Sequence, residues 1–136
     1  MAFKLERSID APNFDVNELY PTTASETYVV GEILTLSTGA LTKAGVDSDG
    51  TQMFVCQEAY VAPATGMKEI AVTPLKKEHI YRTTVGATPT SLKVGNKVTL
   101  GSGAVDVTAT TTKGVAEIVD LCGAAASGDE VLVRFV

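Results

Sequence analysis

His79 is the single histidine of this 136-residue chain, so a Ser-His-Asp or Cys-His relay would have to pass through it. It stands in Lys76-Lys77-Glu78-His79-Ile80, a charged run at the edge of an expected strand, which predicts a solvated imidazole rather than a catalytic one. Cys56 and Cys122 share no Cys-x-x-Cys spacing and no local context, and they predict two reduced, mostly buried thiols. One histidine and two scattered thiols would need carboxylates to complete a zinc site, and no ligand spacing suggests one. Asp47-x-Asp49-Gly50 opens like a calcium loop but lacks the third oxygen ligand and the later bidentate glutamate, so it reads as a hairpin turn.

Gly66-Met67-Lys68 contains the Met-Lys pair of turns that carry biotin or lipoyl groups, yet Glu69 follows where an apolar residue belongs. No glycine lies between an expected strand and a helix N-terminus, where backbone amides could hold a phosphate. Sixteen acidic residues could supply a glycoside-cleaving pair, but nothing singles out two of them. The expectation is a protein that is not an enzyme, with no cofactor, no metal and no catalytic residues.

The elements that would position any site are strands. From Tyr28 onward β-branched residues gather in short runs separated by Gly, Asp, Ser and Asn, and the expected strands are 28–36, 40–44, 52–61, 68–74, 79–85, 92–100, 104–109, 114–121 and 129–136. Leu121 to Gly128 is rich in small residues but bracketed by glycines, so it reads as a loop. Trp is absent, which leaves the core to Val, Leu, Ile and Ala with Phe54, Phe135, Tyr28, Tyr60 and Tyr81 as larger fillers. The class is all-β, a small barrel or sandwich.

Two of these runs say the same thing. Val30-Gly31-Glu32-Ile33-Leu34-Thr35-Leu36-Ser37-Thr38-Gly39-Ala40 recurs as Val94-Gly95-Asn96-Lys97-Val98-Thr99-Leu100-Gly101-Ser102-Gly103-Ala104, and each copy ends on a strand, Glu69-Ile70-Ala71-Val72 or Glu130-Val131-Leu132-Val133. Two copies are too few for a solenoid and fit a pseudo-symmetric β domain. The expected organisation is an extended arm over 1–27, then one domain over 28–136, with pseudo-repeats 28–75 and 92–136 joined by a connector, 76–91. Pro12, Pro21 and Thr22-Thr23-Ala24-Ser25 mark the arm, in which Asn13 could cap a helical turn from Phe14 to Leu19; these two are its large apolar anchors.

The net charge of −5 argues against a general nucleic-acid binder. Residues 68–97 nevertheless carry Lys68, Lys76, Lys77, Arg82, Lys93 and Lys97 against Glu69 and Glu78, read either as a solvated connector or as a contact for an acidic surface. No apolar run reaches membrane-spanning length, and the start has no apolar signal region, so the chain is expected to be made in a cytoplasm and to have no membrane partner.

Alternation assigns the faces. Val94, Val98 and Leu100 share one side and Lys97 and Thr99 the other; transferred to the first copy, this puts Leu34 and Leu36 inside and Ile33 outside. The last strand sets Val131, Val133 and Phe135 inward and Leu132 and Val136 outward. Apolar residues on an outer face predict cover by another chain, so Ile33, Leu132 and Val136, with Phe14 and Leu19 of the arm, are the candidate interface.

The Val-Gly-x-x-x-Thr-Leu strand, Gly114-Val115-Ala116-Glu117-Ile118, and Ala124-Ala125-Ala126-Ser127-Gly128-Asp129-Glu130-Val131-Leu132-Val133-Arg134 together resemble the small head decoration, or cement, proteins of tailed bacteriophages. The resemblance covers residues 92–136 and, more loosely, 28–75. It implies a non-enzymatic virion protein on the capsid exterior that binds the major capsid protein and braces neighbouring coat subunits as a homo-oligomer, commonly a trimer. A small glycan- or ligand-binding β module, a head–tail connector and a tail-tube subunit are the other readings; the lack of Trp weighs against the first.

Overall fold

The computed structural model describes residues 2–8, 17–45 and 52–135, in which every regular element is a strand. The first sheet runs, in spatial order, β2 (Glu18–Pro21), β8 (Glu69–Pro74), β6 (Met53–Cys56), β4 (Ile33–Ser37) and β5 (Ala40–Lys43). The second runs β1 (Lys4–Ser8), β9 (His79–Thr84), β12 (Glu130–Phe135), β11 (Ala116–Asp120) and β10 (Lys97–Val98), and a ribbon pairs β3 (Thr27–Tyr28) with β7 (Tyr60–Val61). All neighbours are antiparallel. The protein is all-β.

The two sheets share one wiring. Leu34 faces Phe54 and Cys56 faces Val72 in the first, as Val98 faces Ala116 and Ile118 faces Val133 in the second. The match extends to β2 and β9, which flank β8 and β12: Leu19 lies beside Ala71 as Arg82 lies beside Leu132. Thr22 bridges Leu41 in one half and Val85 bridges Val107 in the other, so each sheet curls until its ends touch at one point without closing into a continuous barrel. Gly31 donates its N–H to Cys56 O at 2.8 Å and Gly95 to Ile118 O at 2.9 Å, with φ of +91° and +94°. A side chain at either position would meet the left-handed penalty, which is why the repeat keeps glycine there.

The segment read as connector, 76–91, holds β9, a strand inside the second sheet; the wiring therefore repeats from β2 to β8 and from β9 to β12. Nor is 1–27 simply an arm. Phe3 is buried with its ring 5.4 Å from that of Phe135, its N–H reaches Gly31 O at 2.9 Å, and β1 pairs with β9 while β2 pairs with β8. The helical turn expected around Phe14 lies mostly outside the described residues, and from Glu18 its end is strand. Asp47 to Gly50 also lies outside them. The expected strand 52–61 divides into β6 and β7, and 104–109 keeps only the bridges at Val107.

Two cores result. The smaller lies inside the first sheet and joins Leu34, Leu41, Phe54, Cys56, Ile70 and Val72 to Tyr28 and Ala62 of the ribbon region. The larger lies inside the second sheet, where Val98, Leu100, Ile118, Val131 and Val133 meet Ile33, Met53 and Val55 from the outer face of the first. Ile33 does point away from its own half, but it is fully buried by the second half of the same chain, not by another chain. Its pair, Ile33 beside Val55, occupies the register position that Lys97 beside Glu117 holds in the other half. Apolar residues mark the copy whose outer face is covered; charges mark the copy whose outer face meets water. Leu36 and Val94, expected inside, are exposed because each lies where its strand runs out.

Gly114 is held by space. A Cβ there would lie 2.2 Å from Lys97 C and O, where Val115 N–H bonds Val98 O at 2.9 Å. Gly114→Ala is expected to destabilise the protein by about 1–3 kcal/mol, the range for forcing a methyl into packed structure. Gly103→Ala, whose Cβ would make only ordinary contact at 3.6 Å, should change little. Urea midpoints of the two variants measure the difference.

Candidate interaction surface

The structure sets each of the groups able to do chemistry in its own surroundings. His79 is buried at the start of β9, with β1 alongside it and the ring of Tyr81 edge-on at 6.4 Å; the expected solvated imidazole is corrected, because β1 covers what would have been an open strand edge. Cys56 is buried, and burial pushes its thiol pKa up. Cys122, expected buried, is exposed in a turn at φ +54°, and its thiol is also raised, chiefly by desolvation and then by Asp120. A nucleophilic thiol needs the opposite shift. Among the described residues no three His, Cys, Asp or Glu side chains gather closely enough to hold a metal ion. Lys68, on the turn that resembled a cofactor carrier, is ion-paired to Glu58 and sits 5.1 Å over the Tyr60 ring.

An open cleft of about 450 Å³ lies over the 121–130 loop, lined by Arg82, Cys122 and Glu130 among others. Asp129 shapes the loop by accepting the N–H groups of Ala125 and Ala126 at 2.9 and 3.0 Å, and these bonds lower its pKa. The cleft's cation is already engaged: Arg82 binds both Glu6 oxygens at 3.0 Å and lies 3.6 Å from Glu130. Glu6, first among the causes, raises the guanidinium pKa further.

These ion pairs explain Leu132. Alternation sets it on the outer face, and there it lies, between Arg82 and Asp120 in register; yet it is 6 % exposed, and Ile80 on the same face is 2 % exposed. Arg134 is paired to Glu117 on this face too, at 2.9 Å. Exposed pairs of this kind contribute only about 0–1 kcal/mol each. Their larger effect is cover, since a long arginine held in place shields apolar neighbours with its stem. Leu132 is therefore not an open interface residue. Phe14 and Val136 lie outside the described residues.

Leu19 is the one left open among the described members of the expected set, 60 % exposed on the edge strand β2. The sequence reading missed Val61, Val94 and Val30, at 71 %, 63 % and 53 % exposure. Val30 and Val94 precede the matching glycines, so the repeated turn itself presents a valine to solvent in each half.

Glu32 lies at the seam between the halves and is fully buried. One oxygen accepts Val29 N–H at 3.3 Å; the other has no hydrogen bond among the described residues and sees Lys43 Nζ at 3.7 Å. On either side of it, Gly31 N–H bonds Cys56 O and Ile33 N–H bonds Ala104 O, both at 2.8 Å. Burial raises the Glu32 pKa, against the smaller lowering effects of the Val29 bond and Lys43.

An acid whose pKa is raised on folding binds its proton more tightly in the fold, so its contribution to stability falls as pH rises from the unfolded value through the folded one. Glu32→Gln should raise the urea midpoint near neutral pH, with the gain shrinking toward roughly pH 4, where the unfolded carboxyl also takes up its proton. A lower midpoint for the variant near neutral pH would mean that the Lys43 pair outweighs burial. Leu132→Lys is expected to lower the melting temperature, because it sets a second cation beside Arg82 at a covered position; thermal unfolding checks this. Neither a protein-family model nor a curated protein matches the chain.

Proposed function

We propose that this protein is a structural component of a tailed-phage virion that binds the outer surface of the assembled capsid and braces adjacent coat subunits. The observation that carries this reading is the contrast in exposure. Val61, Val94, Leu19 and Val30 stand more than half open to solvent, while His79 and Cys56 are buried and Arg82 and Lys68 are ion-paired. Scattered open valines and leucine supply about 1.5–3 kcal/mol each when a partner covers them, enough for a few to hold a protomer in place. Two sheets joined through one shared core suit bracing. The resemblance over residues 92–136 supports the same reading, with the major capsid protein as partner.

Purified protein mixed with expanded, undecorated capsids of the phage that encodes it should co-sediment at saturating, fixed stoichiometry and raise the temperature at which the capsids open. Val30→Glu with Val94→Glu should weaken binding by at least about tenfold, a loss of roughly 1.4 kcal/mol, while leaving the free protein's melting temperature within a few degrees. Absence of co-sedimentation by the unaltered protein would overturn the proposal.

A further inference from the structure

The Val-Gly turn occurs twice, and the two copies are covered differently. In the first half a Cβ at Gly31 would lie 2.7 Å from Ala2 Cβ and 2.8 Å from Phe3 O, because the approach to β1 lies against the turn. In the second half a Cβ at Gly95 would meet nothing within 4 Å, and Val94 beside it is 63 % exposed.

Three lysines surround this open turn. Lys93 closes it, donating its N–H to Asn96 Oδ1 at 2.8 Å and accepting Asn96 N–H at 3.0 Å, and Lys97 follows as the first residue of β10. Lys113 comes in from the loop before β11: the next residue, Gly114, packs so closely on the Lys97 backbone that a Cβ there would lie 2.2 Å from the Lys97 carbonyl. All three lysines are exposed, and none has an ion-pair partner among the described residues, whereas Lys43, Lys68, Arg82 and Arg134 each have one. The carboxylates of the neighbouring strand are already engaged. Glu117, beside Lys97, is bound by Arg134, and Asp120 accepts Cys122 N–H at 2.8 Å.

The fold itself does not call for these charges. Lys93 takes the place that Val29 holds in the first copy, and Val29 is 44 % exposed, so the site accepts either residue type. Lys113 lies at φ +57°, a region that favours Gly or Asn. In a chain of net charge −5, cations paired with nothing local and gathered round an exposed valine suit a partner surface of the opposite sign.

We propose that the Val94 turn docks on an acidic surface of the coat protein, with Val94 in an apolar depression and Lys93, Lys97 and Lys113 facing carboxylates around it. The inference rests on the capsid reading, in which Val94 is one of the contacts, and adds the chemistry of the surface that Val94 meets. It also gives the two turns different roles. Val30, between Val29 and Gly31, contributes apolar contact, while the Val94 turn contributes recognition of charge. A nucleic acid fits less well than a protein surface, since the central valine needs an apolar partner and Glu117 and Asp120 lie on the next strand.

Co-sedimentation of the full chain with undecorated capsids, repeated across a salt series, tests this. Between about 0.1 M and about 1 M sodium chloride the screening length falls from about 10 Å to about 3 Å, and binding should weaken at least about tenfold. Lys93→Gln, Lys97→Gln and Lys113→Gln together should cost a similar factor at the lower salt, remove most of the salt dependence and leave the melting temperature unchanged. Lys4→Gln with Lys77→Gln, which removes exposed lysines on β1 and before β9, should alter neither affinity nor salt dependence. Binding indifferent to salt and to the three lysines would overturn this proposal and leave the capsid reading standing; no binding at any salt would overturn both. An equal loss from the Lys4 and Lys77 pair would reduce the effect to overall charge. Self-association of the free protein in sedimentation velocity, abolished by the triple variant, would assign the turn to a second copy, and tighter binding to a DNA duplex than to capsids would assign it to phosphate. Each of these three results also overturns the proposal.

Discussion

Everything in this molecule depends on the outer face of the first sheet being the inner wall of the second half. Ile33, Met53 and Val55 point out of one curled sheet and into the core of the other. A single five-stranded sheet of this length buries one face poorly on its own, and small β units seldom reach independent stability without a second layer. Here the second layer is the neighbouring copy. The first half needs a separate lid for its own interior, which Tyr28 and Ala62 supply from the ribbon region.

That arrangement breaks the symmetry of the repeat at positions where the physics demands it. Where the first half has Ile33 beside Val55, the second has Lys97 beside Glu117, although the inward positions on the same strands stay apolar in both. The seam is also where Glu32 is buried and where Phe3 anchors the first strand through Gly31. A Cβ at Gly31 would lie 2.7 Å from Ala2 Cβ and 2.8 Å from Phe3 O, so this one glycine serves both a backbone turn and the docking of β1.

The outward charges are cover more than adhesive. Glu6, Arg82 and Glu130 form one chain of ion pairs and Glu117 with Arg134 another, over a face on which Ile80 and Leu132 are nearly inaccessible. An outer sheet face so equipped offers little to a partner. Among the described residues the large apolar side chains more than half open, Val61, Val94, Leu19, Val30 and Leu5, sit at turns and on edge strands, and a binding role built on these would use the periphery of the sheets instead of their faces.

The all-β class, the strand runs, the repeated Val-Gly-x-x-x-Thr-Leu unit and the inward or outward sense of Ile33, Leu34, Leu132 and Val133 were legible in the residues, because each is a property of near neighbours in the chain. β9 was legible as a strand too, though not as the counterpart of β2, since His79–Thr84 and Glu18–Pro21 share almost no residue types. What only the tertiary structure decided is what lies over each face. Alternation reports that Ile33 and Leu132 leave their own sheet's interior, but it carries no information about a layer supplied from sixty residues away or about arginines held across the surface by ion pairs. His79 and Cys122 exchanged their expected surroundings for the same reason: burial at a strand's edge is settled by which segment comes to lie beside it, and that is a long-range fact.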